Sequence, residues 1–80
     1  MKLPRDLSGL ELAKALGKLG YRVTRQTGSH LRLTIEAPTQ DHITIPTHDP
    51  LKLGTLAAIV GQVAEHLKLD RDELIRRLFG

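Results

Sequence analysis

The chain reads as an α+β domain: a helix, three antiparallel strands and a second helix, with the helices on one face of a three-stranded sheet and a further helix at the C-terminus. Three observations predict this. The apolar spacing has a period near 3.6 between residues 9 and 19, switches to 2 between residues 21 and 45, and returns to 3.6 from residue 56. Two sequences of the capping-box type, Ser8/Glu11 and Asp70/Glu73, mark helix starts. Gly20 and Pro46 sit where the first helix and the last strand should stop. With 80 residues, 40% of them hydrophobic, one modest core is possible, so residues 1–80 are expected to form one domain.

The elements follow in order. Ser8 caps a helix over Gly9 to Leu19, Leu7 can staple onto Leu12, and Leu12, Ala15, Leu16 and Leu19 share a face. Tyr21 and Val23 then alternate with Arg22 and Thr24, which implies a strand with the apolar pair inward. Gln26-Thr27-Gly28 reads as a turn. In the second strand Leu31, Leu33 and Ile35 point inward, and in the short third strand Ile43 and Ile45 do the same. Leu51 to Gly54 lead into a helix whose Leu56, Ile59, Val60, Val63 and Leu67 form its apolar stripe, with Gly61 as a point of close packing on the sheet. The last helix, capped by Asp70 and Glu73 and stapled by Leu69 and Leu74, should bury Leu74, Ile75 and Leu78. No repeat or low-complexity segment interrupts this order.

Composition excludes several classes. Without Cys there is no disulfide framework and no thiolate metal site, and the reducing cytoplasm is the expected compartment. Charges and a Pro within Met1 to Asp6 argue against a signal peptide, and the longest wholly apolar run, Leu56 to Val60, is far short of the roughly 20 residues of a membrane span. The net charge of +3 is unevenly placed. Residues 1–35 hold seven bases and two acids, and the remainder holds five bases and seven acids, so a phosphate-facing N-terminal part is one reading and a solvated surface the other.

The alternation decides what the open sheet face carries. His30, Arg32 and Thr34 on the second strand and His42 and Thr44 on the third should gather there, opposite the helices. An imidazole, with an unperturbed pKa of about 6.5, can both take and give protons near neutrality. An exposed strand residue is the plain alternative for His30. Gly28 can take a positive φ and admit a backbone or phosphate, and Ser29 adds a hydroxyl, although a simple hairpin turn has the same composition. Ser29 as a nucleophile activated by His30 is disfavoured because neighbouring strand residues point to opposite faces. None of the four His has the helical i,i+4 spacing of a zinc site, so no metal and no cofactor is expected. His66, near the end of the second helix, suits the helix dipole in its charged form.

Taken together, Leu19-Gly20-Tyr21, Gly28-Ser29-His30, Ile43-Thr44-Ile45-Pro46-Thr47-His48 and Gly54-Thr55-Leu56 resemble the HicA family of mRNA interferase toxins, over about Ser8 to Leu67. The resemblance implies a fold like that of a double-stranded-RNA-binding domain, and a toxin of a type II toxin–antitoxin system in a prokaryotic cytoplasm. It further implies a metal-independent endoribonuclease acting on mRNA, with His30 catalytic, and a heteromeric complex with a HicB-type antitoxin. His30 would then act as general base on a ribose 2′-OH. For substrate contacts the chain offers Gly28, Ser29, Arg32, His48 and Lys52, with Arg32 favoured as a phosphate clamp; Arg25 and His42 remain further candidates for charge or proton transfer. Two departures stand out: Leu31 and Arg32 follow His30 where many members have a second His or an aromatic residue, and the chain continues into a third helix. Two other classes stay open, a non-catalytic RNA-binding domain and a protein-interaction module. One Tyr and one Phe make base stacking a poor mode of recognition in either case.

Overall fold

The computed structural model describes residues 2–80; Met1 lies outside the described residues. The order is α1 (Gly9–Gly17), β1 (Arg22–Gln26), β2 (His30–Ile35), β3 (Asp41–Pro46), α2 (Leu53–Leu67) and α3 (Arg71–Phe79). The strands form one antiparallel sheet in the order β1-β2-β3, giving the expected α+β architecture. Leu31, Leu33, Ile35, Ile43 and Ile45 are buried against Leu12 and Leu16 of α1 and Leu56, Val60 and Val63 of α2, in one continuous cluster. α3 belongs to that core, since Leu74, Ile75 and Leu78 are each at most 2% exposed.

α1 starts as its sequence dictates. The Ser8 hydroxyl accepts the Glu11 N–H at 3.0 Å, and the Glu11 carboxylate accepts the Ser8 N–H at 3.0 Å. That backbone bond, aided by the hydroxyl, holds the Glu11 carboxyl below its usual value of 4.5. The helix ends earlier than expected, at Gly17, and residues 18–20 form a tight turn. There Gly20 N–H bonds Gly17 O and Tyr21 N–H bonds Leu16 O, with Gly20 at φ +106°, the paired bonds of a Schellman stop. The N-terminus of α1 lies hard against the end of β3. Gly9 N–H bonds His48 O at 2.9 Å, and a Cβ at Gly9 would overlap the Pro46 carbonyl oxygen.

Four local expectations fail for physical reasons. Val23 opposes the buried Leu33 yet is 48% exposed, because β1 is an edge strand and all five of its residues are exposed. Asp70 precedes α3 but makes no side-chain cap, and Glu73 instead bonds Arg77 Nε at 3.1 Å and reaches Arg76 at 3.5 Å. Gly61 faces open space rather than the sheet, so it admits no close packing. Gly28 keeps a negative φ, and a Cβ there would meet nothing within 4 Å. α2 ends on Lys68, a non-glycine residue in the left-handed region at φ 55°, and His66 in its last turn donates from Nε2 to Thr39 O at 2.9 Å.

Candidate functional site

The open face of the sheet divides along its length according to register. β2 and β3 pair His30 with Pro46, Arg32 with Thr44 and Thr34 with His42. Around the first two pairs lies a shallow depression of ≈ 170 Å³ lined by Arg25, Thr27, His30, Arg32 and Thr44. Of these, Arg32 and His30 are also the residues that the sequence pattern points to as a phosphate clamp and a catalytic base.

His30 is exposed, and its surroundings fix both its backbone and its ring. Its N–H donates to Thr27 Oγ1 at 3.1 Å, and its carbonyl accepts the Thr27 N–H at 2.9 Å, so the Thr27 hydroxyl closes the hairpin around Gly28-Ser29. The sequence marks Thr27 only as part of a turn; a Thr three positions before a strand start is the available signal for its role, since such hydroxyls bond local backbone. Its ring Nδ1 lies 2.9 Å from Ser29 Oγ. This corrects the expectation that Ser29 and His30 diverge: β2 begins at His30, so Ser29 precedes the strand and the alternation rule does not reach it.

Gly28 and Ser29 are also tied across to the end of β3. Thr47 N–H donates to Ser29 O at 2.9 Å, and Thr47 Oγ1 donates to Gly28 O at 3.4 Å. His48 follows in the same segment with an exposed side chain outside the depression, and its carbonyl holds the start of α1. Lys52 precedes α2 as its N-cap residue and makes no side-chain cap; it too lies outside the depression. The geometry therefore gathers His30, Ser29 and Arg32, with Gly28 supporting them, and leaves His48 and Lys52 aside.

Two arginines enter the depression from neighbouring strands. Arg25 of β1 directly opposes Arg32 of β2. Among the described residues no carboxylate lies within 4.0 Å of either guanidinium; the ion pairs on the sheet and helices involve Arg22, His66, Arg76 and Arg77 instead. At the other end of the same face the polar groups are paired with each other. Thr34 Oγ1 is 2.8 Å from both Thr24 Oγ1 and His42 Nδ1, and Thr34 is only 4% exposed. His42 is thereby four residues along β2 from the level of His30, roughly 13 Å at 3.3 Å per residue.

The fold is a small α+β domain whose open sheet face carries an imidazole and two arginines around one depression. Residues 9–69 match the family model described as the HicA toxin of bacterial toxin–antitoxin systems, and the chain belongs to that family. The α-β-β-β-α order agrees with the fold of a double-stranded-RNA-binding domain. No curated protein and no solved structure matches the chain. Among the described residues no helix is long and apolar enough to cross a membrane.

Proposed function

We propose that this toxin-family protein is an endoribonuclease that cuts mRNA with His30 as general base, and that a HicB-type antitoxin in the same cytoplasm holds it in an inactive complex. The observation that carries the reading is the His30 ring, exposed in a cationic depression with its Nδ1 bonded to a hydroxyl. If Nδ1–H donates to Ser29 Oγ, Nε2 is left with a free lone pair toward the depression. Nε2 then removes the proton from a ribose 2′-OH, and O2′ attacks the adjacent phosphorus. The bond to O5′ breaks, leaving a cyclic phosphate on one fragment and a 5′-hydroxyl on the other, with solvent in the open depression protonating O5′. Arg32 supplies positive charge for the developing phosphorane. Ser29 is thus a positioning residue. His42, engaged with Thr34 at the far end of the face, takes no part.

His30→Ala should lower cleavage of single-stranded RNA by two to four orders of magnitude and leave the fold intact, because an exposed site costs little, within about 0.5 kcal/mol. Full activity in the folded variant removes His30 from the mechanism. A substrate with a single 2′-deoxy nucleotide at the scissile position should resist cleavage. Cleavage should also persist in EDTA, since the step asks only for a base and for cationic side chains; loss in chelator, restored by a divalent ion, argues for a different reaction.

A further inference from the structure

The register of β1 contains one irregularity, and it falls beside the depression. Arg22 opposes Thr34 and Val23 opposes Leu33, but Arg25 opposes Arg32, so one residue, Thr24, is extra on the β1 side. This is a β-bulge, a feature that re-aims the side chains after it. Strict alternation from Val23, whose partner Leu33 faces the helices, would send Arg25 toward the helices as well. With the bulge, Thr24 reaches Thr34 on the open face, and Arg25 arrives on that same face opposite Arg32. The cost is visible in the pairing. Like charges directly opposite on neighbouring strands destabilise a sheet, and no carboxylate among the described residues compensates either arginine.

We infer that Arg25 is a ligand of the RNA phosphate attacked next to His30, gripping it together with Arg32, and that the β1 bulge is what positions it. The inference rests on the ribonuclease reading above and adds to it a residue from a different strand. Two arginines lining one depression from neighbouring strands can offer planar forks of N–H donors to the non-bridging oxygens of one phosphate, which a single arginine cannot approach from both sides. Thr27 and Thr44 hydroxyls complete the lining. The like-charge pair, unfavourable in the free protein, becomes favourable once a phosphate lies between its members.

The test uses the full chain and a labelled single-stranded RNA of mixed sequence. Arg25→Ala should lower kcat/KM at least thirtyfold, and Arg25→Lys should recover only part of it because the fork is lost. Arg22→Ala removes the same charge from the same strand but from a residue paired with Glu36, and should change kcat/KM less than threefold. In a His30→Ala background, where binding is read without turnover, Arg25→Ala should reduce the slope of log affinity against log salt by about 0.7 to 1. Arg25→Ala and Arg25→Gln should melt at the same temperature as the parent or higher, since a like-charge contact is relieved. Equal affinity and equal salt slope for parent and Arg25→Ala overturn the proposal while leaving His30 as base. So does a lowered melting temperature in both Arg25 variants, which makes the residue structural. A parent protein that neither binds nor cuts RNA removes the ribonuclease reading, and this one with it.

Discussion

The two ends of the open sheet face carry similar residue types and treat them oppositely. At one end Thr24, Thr34 and His42 satisfy one another at 2.8 Å, and Thr34 is buried by them. At the other end Arg25, His30 and Arg32 line a depression, with the His30 ring bonded through Nδ1 to Ser29 and the two arginines opposite each other in register. A polar group that has found protein partners is structural, and one left facing solvent beside like charge is available to a ligand. The imidazoles of His30 and His42, both exposed on this one face, thus acquire different expected roles from their neighbours rather than from their own chemistry.

The largest effect that could break this contrast is on turnover. His30→Ala should cost two to four orders of magnitude in rate, about 3–5 kcal/mol of barrier, as for loss of a general base. His42→Ala should stay within about twofold of the parent. Equal losses in single-turnover cleavage by the two variants would erase the difference between the ends. A smaller effect sharpens the reactive end: Gly9→Ala drives a methyl into the Pro46 carbonyl, in the segment whose Thr47 holds Gly28 and Ser29. We expect a stability loss of about 1–3 kcal/mol by denaturant titration, accompanied by reduced cleavage because the His30 hairpin loses its anchor. Unchanged stability would mean that α1 can retreat without cost. At the self-satisfied end, Thr34→Val removes the central hydroxyl and should cost about 1 kcal/mol with cleavage preserved. Cleavage falling with stability would show the two ends to be coupled.

Much of the scaffold was legible because its signals are local. Ser8 and Glu11 form the capping box their spacing predicts, Gly20 adopts the positive φ expected at that stop, and alternation along β2 and β3 assigns Leu31, Leu33, Ile43 and Ile45 to the core. What escaped depends on competition between groups or on layers above the chain. Asp70/Glu73 has capping-box spacing, but Arg76 and Arg77 stand three and four residues after Glu73 and take its carboxylate. Val23 has a strand's apolar pattern, yet no local signal reveals that its strand is the exposed edge of the sheet. The bulge at Thr24 adds one residue without changing composition, so the arrival of Arg25 beside Arg32 could not be read from periodicity. Ser29 lies one residue before the strand, where alternation no longer applies, and it therefore reaches the His30 ring.

The smallest predicted effect lies behind the self-satisfied end, in the core, at Tyr21. Its Oη is buried with no hydrogen-bond partner among the described residues, and burial, aided by the Asp41 carboxylate, pushes its pKa from 10.0 up to about 12. A folded pKa raised above the unfolded one means that folding favours the protonated phenol. The associated stability is fully present below pH 10 and is lost as pH rises from about 10 through about 12, where the unfolded chain ionises first. Tyr21→Phe removes both the unpartnered hydroxyl and this titration. At pH 7 the variant should equal the parent or exceed it by up to about 1 kcal/mol, since an unsatisfied buried hydroxyl is lost and the ring stays. Between pH 9 and pH 12 the difference in unfolding free energy should grow in favour of Phe. A variant less stable than the parent at pH 7, or a difference that does not change across that alkaline range, would mean that the Tyr21 hydroxyl has a partner in solution and that the core carries no unsatisfied phenol.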